Sequence, residues 1–400
     1  MCPVEPFLID MRRSRASSRL PHPRQSRSET TVEFHDNAVP PYAAAALDRL
    51  YGSIYSTLDQ FRLDDSLAGA STYVARSGNR ISALLLYRID GGVATVLNQM
   101  IAVGHEELQR FAAALFARHR EVSSIALKPV QADTSELRFP CQHYHFAEDI
   151  VADLPETNIE YLAALGKNMR ETVKRYGNKV RRSFPSYRFE LYCNDRIDPD
   201  QAMELYRLHV ARMGRKMKRS YLGEQQFRKI TALARTRGMM AVATIDGKVC
   251  GGMIGWRTGA HFVMRVIAHD PRYDDFKLGT VCCYEAIREC IALGVRHFHF
   301  GSGRMLYKYR LLGENRSFAS VVIYRSRMAV LRHPLLALRT AARGADRELR
   351  HWLEDTEHSD QALARAAAAA RRQWKEMRQR ARKLLYRPVQ PVLPSGQSSE

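Results

Sequence analysis

Apolar and polar positions alternate in the same order in two separate stretches of the chain. In each stretch, period-two runs predict three strands, a helical period predicts one helix, and a fourth strand follows. The first stretch comprises Ser71–Arg76, Arg80–Ile89, Val93–Ile101, the helix His105–Arg120 and Ser124–Lys128. The second comprises Met239–Ile245, Lys248–Arg257, His261–Ala268, the helix Thr280–Leu293 and His297–Phe300. Two copies of one αβ unit explain this order, with chance agreement of a simple pattern as the alternative.

Helical spacing also occurs outside the two copies. It predicts the helix Tyr42–Gln60 before the first copy, and Asn158–Arg182, Asp200–Arg215 and Glu224–Arg237 between the copies. Near the end, Gln361–Leu385 has no Gly or Pro and predicts a long basic helix. That helix could lie on a membrane or partner, or be a solvated accessory helix.

These patterns divide the chain into four predicted regions. Residues 1–30 form a disordered Arg/Ser-rich tail, and 31–150 form the first, degenerate unit. Residues 151–328 form the second unit, which carries the active site, and 329–400 form a basic helical extension with a frayed end.

Charge distinguishes the two units. The 400 residues carry a formal net charge of +20, of which 31–150 contribute −4 and 151–328 contribute +15. Basic residues concentrate in Gly166–Arg188 and Arg207–Arg219. These runs indicate either two solvated helix faces or a patch that binds phosphates, as in a cofactor, nucleic acid or an anionic membrane.

Composition excludes several classes of protein. A hydrophobic fraction of 45% excludes general disorder, and no apolar run approaches the roughly 18 residues of a membrane-spanning helix. The seven cysteines include no CxxC pair, which favours buried free thiols, a reducing compartment and no metal site. The N-terminus lacks the order of a secretory signal. We therefore expect a cytoplasmic protein, with the inner face of the membrane as a second location.

One candidate site is the loop that leads into the second copy's helix. Gly279 would let the backbone approach a ligand closely, and Thr280 is a good helix N-cap. Free N–H groups at a helix start bind anions, so a pyrophosphate or carboxylate could dock there with help from Lys277. Structural capping alone is the alternative.

A second candidate site follows the last strand of the second copy. The chain turns at Gly301-Ser302-Gly303, and Lys308 comes shortly afterwards, where open αβ sheets tend to bind ligands. A cation there can stabilise an oxyanion or a phosphate, although a surface lysine between two tyrosines is the alternative. His299 could act as a general base or be a satisfied histidine within the sheet.

Together these stretches resemble the GNAT acyltransferase superfamily, in its Fem-like, two-unit branch. This branch includes BioF2-like, cellulose-biosynthesis-type acetyltransferases. The resemblance is carried by Tyr161-Leu162-Ala163-Ala164-Leu165 with Arg170, Asp270-Pro271-Arg272-Tyr273, Leu278-Gly279-Thr280, Phe300-Gly301-Ser302-Gly303 and Tyr307-Lys308-Tyr309-Arg310. It implies an α/β (α+β) fold of tandem GNAT-like units. Each unit would have a mixed, mainly antiparallel sheet flanked by helices.

The resemblance also implies site residues. Lys277, Leu278, Gly279 and Thr280 match the loop that binds the donor's phosphates, and Lys308 matches a lysine that stabilises transition-state charge. We assign His299 and Tyr307 to catalysis with Lys308, and Arg170, Tyr309 and Arg310 to substrate binding. The sequence departs from the family where His299 replaces a frequent Asp. The Gln/Arg-x-x-Gly-x-Gly/Ala loop of ordinary GNAT enzymes is also incomplete.

The function implied by the resemblance is N-acyl transfer from acyl-CoA to an amine, with an envelope or polysaccharide-related acceptor. Fem-type transfer from aminoacyl-tRNA is the alternative. The charge of the second unit favours it, but the long helical arm of Fem proteins is absent from the sequence. A non-catalytic binding protein on this scaffold is a third hypothesis. The expected partners are a phosphate-bearing donor (CoA before tRNA), an amine acceptor and a membrane surface contacted by the basic tails.

Overall fold

The computed structural model describes residues 30–215, 222–332 and 334–356, together with Ala369 and Gln373. The predicted helix Gln361–Leu385, apart from Ala369 and Gln373, and the predicted tail 1–30, apart from Thr30, lie outside the described residues. Within the described part of the chain, no helix is long and apolar enough to cross a membrane.

The strands form one large sheet. They are β1 Thr30–His35, β2 Ser71–Ser77, β3 Arg80–Asp90, β4 Val93–Val96, β5 Ile101–Val103, β6 Ser124–Ala132, β7 Cys141–Asp153, β8 Arg188–Cys193, β9 Gly238–Ile245, β10 Lys248–Thr258, β11 His261–His269, β12 His297–His299 and β13 Gly313–Tyr324. Their order is β1-β2-β3-β4-β6-β13-β7-β12-β11-β10-β9-β8, and β5 pairs with β6 beside β4. Most neighbours run antiparallel, while β4, β5 and β6, and likewise β11 and β12, run parallel.

Helices cover both faces of this sheet. They are α1 Ala43–Tyr51, α2 Leu58–Leu63, α3 His105–Arg118, α4 Asn158–Ala164, α5 Lys167–Ser183, α6 Pro199–Arg215, α7 Glu224–Arg237, α8 Leu278–Ala292, α9 Leu306–Arg310, α10 Arg327–Arg332 and α11 Pro334–Thr356. In the second half, α4, α5 and α8 pack on one face around Phe262 and Phe298. Helices α6 and α7 pack on the opposite face around Trp256.

The predicted repeat and fold class are confirmed. The strands β2, β3 and β4–β5, helix α3 and strand β6 occur in the same order as β9, β10, β11, α8 and β12. The copies differ at their parallel pair. In the first copy, β4 and β5 both pair with β6, so that β6 stays hydrogen-bonded to the preceding strands at both of its ends. In the second copy, pairing stops after three residues, which leaves a gap on the β12 side of β11.

Two strands outside the predicted repeat join the copies. Strand β13 pairs with β6 of the first copy and with β7 along almost its whole length, and β7 also pairs with β12. The predicted boundary at residue 150 falls inside β7. A neighbouring ion-pair cluster also spans the copies, since Arg237 of α7 lies 3.0 Å from Asp48 of α1 and 2.6 Å from Asp59 of α2.

Three predicted elements are each broken into two. The helix Tyr42–Gln60 stops at Gly52, which takes the left-handed conformation with φ +58°, and resumes at Leu58. The helix Asn158–Arg182 is interrupted at Leu165 and Gly166, both of which have extended ψ angles. The strand Val93–Ile101 is interrupted before Met100, whose φ is +54°. In each case a local backbone conformation overrides a continuous apolar period.

Candidate functional site

A wedge-shaped gap opens between β11 and β12. The two parallel strands pair only where His261–Val263 face His297–His299. Beyond that point the chain after β12 stays with β7, because Phe300 N donates to Ile150 O at 2.8 Å. Strand β11 instead follows β10 and carries a bulge at Arg265, where Ile254 opposes Val266 and Gly255 opposes Met264. Bulges of this kind end pairing and redirect a strand.

Helix α8 begins next to this wedge. Its N-cap is Lys277, in the left-handed conformation with φ +48°, so the expectation that Thr280 caps the helix is wrong. Thr280 lies one turn inside and donates its backbone N–H to Lys277 O, as Val281 does. The N–H groups of Leu278 and Gly279 therefore precede the helical hydrogen bonds and are available to an anion.

A cavity of about 260 Å³ lies between the wedge and the start of α8. It is lined by Arg212, Ile267, His269, Asp274, Lys277, Gly279, Thr280 and Tyr307. Four residues predicted from the sequence therefore meet here: Lys277, Gly279, Thr280 and Tyr307. The side chain of Leu278 does not belong to the cavity, since it is fully buried against Cys250 and Cys282. Leu278 can contribute only its backbone N–H.

A basic groove continues from this cavity along α5. Its volume is about 630 Å³, and it is lined by Asn168, Glu171, Thr172, Lys174, Arg175, Tyr176, Asn178 and Lys277. Lys277 lines both spaces, and its ammonium lies 4.6 Å from the centre of the Tyr176 ring. It makes no ion pair with a carboxylate in the part of the chain that the structure describes. Its charge is thus available to a ligand's phosphate.

Lys308 is buried beneath the turn after β12. Its side chain is 3% exposed, and Nζ donates to Gly301 O at 2.8 Å and to Ser302 O at 2.7 Å. Burial lowers the pKa of Lys308, while the Asp149 carboxylate acts in the opposite direction. The ammonium therefore holds the turn in place and is not among the groups that line the cavity.

His299 lies on the other face of the sheet, in a chain of hydrogen bonds. Its Nδ1 is 2.7 Å from Asp149 Oδ2, and its Nε2 is 3.0 Å from Nδ1 of His261. Asp149 also accepts the backbone N–H of Gly301 at 3.0 Å. Neither Asp149 nor His261 was predicted from the sequence. The only signal in the sequence is the alternation of His297 and His299 on β12, next to His261 at the start of β11.

The three predicted substrate-binding residues lie outside the cavities described here. Arg170 donates from Nη1 to Ala163 O at 2.8 Å and so satisfies the end of α4. Tyr309 and Arg310 are exposed on the outer side of α9. No group of three or more His, Cys, Asp or Glu side chains among the described residues is arranged to hold a metal ion.

His261 gives the stability of the fold a pH dependence. Burial, followed by His299, His297 and Arg316, lowers the pKa of His261 to about 3, and only Asp153 opposes this. Between pH 6.5 and 3 the unfolded chain therefore binds a proton that the folded chain does not. We expect His261 to contribute a loss of up to about 1.4 kcal/mol in unfolding free energy per pH unit as the pH falls through this range.

Urea unfolding of the wild type and of His261→Gln at pH 7, 5.5 and 4.5 measures this contribution. The variant should lose less stability than the wild type, and His297→Gln, which removes one of the groups that lower the pKa of His261, should fall between the two. Identical pH profiles for the wild type and His261→Gln would show that His261 does not cause the dependence.

Comparisons with known proteins found a matching family description and similar solved structures. A family described as Acetyltransferase (GNAT) domain matches residues 167–309. The structure of FemX is similar with a TM-score of 0.55 at 10% identity, covering 78% of this chain and 100% of FemX. L-PGS from Bacillus licheniformis gives a TM-score of 0.45 at 14% identity, covering 76% of this chain and 98% of its own. No curated protein matches the sequence.

Proposed function

We propose, from the GNAT domain matched over residues 167–309 and the fold that is similar to FemX, that the protein transfers an acyl group from acyl-CoA to an amine. The observation that carries the proposal is the continuous surface from the basic groove of α5, past Lys277, into the cavity beside the β11–β12 wedge. A long donor with phosphates at one end and a reactive group at the other fits such a path.

The proposed donor contacts follow from charge and geometry. The pyrophosphate binds at the N–H groups of Leu278 and Gly279 and at Lys277, where the helix dipole favours negative charge. Lys174 and Arg175 on the exposed face of α5 contact the outer phosphate. The pantetheine arm then runs past Tyr307 into the wedge, and the thioester lies near the point where β11 leaves β12.

In the proposed reaction, the acceptor's amine attacks the thioester carbonyl and a tetrahedral oxyanion forms. Beyond Val263, no described strand pairs with β11 on the side facing β12, so its N–H groups there are free to stabilise the oxyanion. Collapse of the intermediate forms the C–N bond and breaks the C–S bond. Burial raises the pKa of Tyr307, so its hydroxyl keeps a proton that it can donate to the leaving thiolate.

Binding of CoA tests the proposed donor. At a hundredfold excess over its dissociation constant, CoA should stabilise the folded chain by about 2.7 kcal/mol, seen as a rise in melting temperature. Lys277→Gln should reduce this shift. The control Lys248→Gln, which removes an exposed lysine at the start of β10, should leave it unchanged.

Other ligands in the same measurement separate the alternatives. Aminoacyl-tRNA is the second candidate donor, because the exposed lysine and arginine side chains of α5 would also suit nucleic-acid phosphates. If tRNA stabilises the protein in a salt-sensitive manner and CoA has no effect, aminoacyl-tRNA replaces acyl-CoA as the proposed donor. CoA binding without release of thiol from acetyl-CoA, in the presence of any primary amine, would favour a binding protein.

A further inference from the structure

A further cavity lies on the face of the sheet opposite α8, between the two copies. Its volume is about 180 Å³. Gly52, Tyr55 and Met100 line it from the first copy, and His261, Val263 and His299 line it from the second. Val263 and His299 are also the last paired residues of β11 and β12. The cavity therefore reaches the point where the wedge opens, from the face opposite α8.

The hydrogen-bond chain at this cavity fixes the protons on both histidines. Both oxygens of Asp149 accept hydrogen bonds, one from Gly301 N and the other from His299. Because Asp149 is a carboxylate, His299 must donate from Nδ1 and accept at Nε2. His261 then donates from Nδ1 to His299, which leaves the lone pair of His261 on Nε2.

That Nε2 atom lies at the cavity wall. It makes no hydrogen bond within the described part of the chain, and a Cβ placed on Gly52 would lie 2.4 Å from it. The nearby charged side chains are otherwise engaged, since Asp153 pairs with both Arg316 and His297. Of the two histidines in this hydrogen-bond chain, His261 therefore has a ring nitrogen available to a ligand, whereas both ring nitrogens of His299 are occupied.

We propose that this cavity binds the amine end of the acceptor, and that His261 Nε2 removes the proton from the attacking nitrogen. The proposal rests on the acyl transfer described above. Burial lowers the pKa of His261, so its ring is a weak base toward the free amine. The attacking nitrogen becomes far more acidic as the C–N bond forms, and its proton then moves to Nε2 of His261. The positive charge that results is stabilised through His299 by the Asp149 carboxylate. When the C–S bond breaks, the electron pair leaves with the sulfur. His261 is the catalytic residue, and His299 and Asp149 are positioning residues.

The first test measures thiol release from acetyl-CoA with ethanolamine and glucosamine as probe amines. His261→Gln should lower kcat by about 100-fold, within the usual range for a general base, and should leave the CoA melting shift unchanged. The matched control is His297→Gln, whose ring stacks on His261 with centroids 4.3 Å apart but does not line the cavity. It should change kcat less than about threefold.

A second variant tests the cavity independently of the histidines. Ala102 is exposed at the cavity rim, so Ala102→Leu should fold and should narrow the space for the acceptor. We expect the KM for the amine to rise by at least fivefold and kcat to stay unchanged. One extra or missing methylene group in a binding pocket changes discrimination by about 10–200-fold. An unchanged KM would overturn the assignment of the cavity.

The positioning residues have a spectroscopic test. In Asp149→Asn, an amide N–H facing His299 would force both rings into the other tautomer and protonate His261 Nε2. The ¹⁵N spectrum of the ring nitrogens should report this change together with the fall in kcat. An unchanged tautomer with normal turnover would exclude the proton chain.

The outcomes distinguish the two proposals. Loss of the CoA melting shift in the wild type would refute the proposed donor itself. A normal CoA shift with full activity in His261→Gln would refute the proton chain only, whereas a normal CoA shift with no thiol release by the wild type would refute the acyl transfer on which the acceptor cavity and the proton chain rest.

Discussion

Lys308→Met is expected to lower the free energy of unfolding by about 2–5 kcal/mol. Methionine can fill the buried space, but it cannot donate the two hydrogen bonds that Nζ makes to Gly301 O and Ser302 O. Hydrogen bonds donated by a charged group contribute about 1.5–3 kcal/mol each, and the partial exposure of the turn lowers their sum. Urea unfolding at pH 7 measures the loss. Arg310→Met is the control, since Arg310 is exposed on the same helix and should change stability by less than about 0.5 kcal/mol.

The same substitution separates two roles for Lys308. The turn that it holds places Gly301 N against Asp149 and leads into α9, which carries Tyr307 to the cavity wall. If Lys308 acts through the turn, stability and kcat should fall together. If instead it stabilises transition-state charge directly, kcat should fall while the unfolding curve stays within about 0.5 kcal/mol of the wild type.

The residues of the proposed donor side can be predicted from the sequence because they are close together along the chain. Lys277, Gly279 and Thr280 follow one another at a helix start, and Tyr307 lies on the short helix after the next strand. A Gly beside a helix start and a Gly-Ser-Gly turn are signals that can be read without knowing the fold. The sequence does not show in which direction the side chains near these turns point. Whether Lys308 faces a cavity or a turn depends on the packing around α9 and β13.

The residues of the proposed acceptor side meet through long-range strand pairing, and therefore the sequence alone does not predict them. Asp149 is 150 residues before His299, and the two meet because β7 pairs with β12 and β13. Strand β7 begins with a run of polar and half-buried residues, and β13 begins with a polar run, so neither shows the uniform apolar period of β10. Sheet order is set by tertiary pairing, and local patterns do not encode it.

Gly52→Ala is expected to cost about 2–5 kcal/mol of unfolding free energy and to reduce turnover of a probe amine. Gly52 ends α1 with φ +58°, a conformation that costs an L-residue about 1–2 kcal/mol. Its added Cβ would lie 2.2 Å from Cδ2 of His261, so the ring or the backbone must move. Movement of the ring breaks the hydrogen bond from His261 to His299.

Gly78→Ala is the matched control, because Gly78 has the same φ of +58° and a Cβ there would meet nothing within 4 Å. It carries the same backbone strain without the collision. The difference in unfolding free energy between the two variants therefore isolates the contact with His261, and we expect about 1–3 kcal/mol. The CoA melting shift should persist in both variants, since Lys277 and α8 lie on the opposite face of the sheet. Equal losses of stability, with equal turnover, would mean that the ring of His261 adjusts freely and that its alignment with His299 is not held by Gly52.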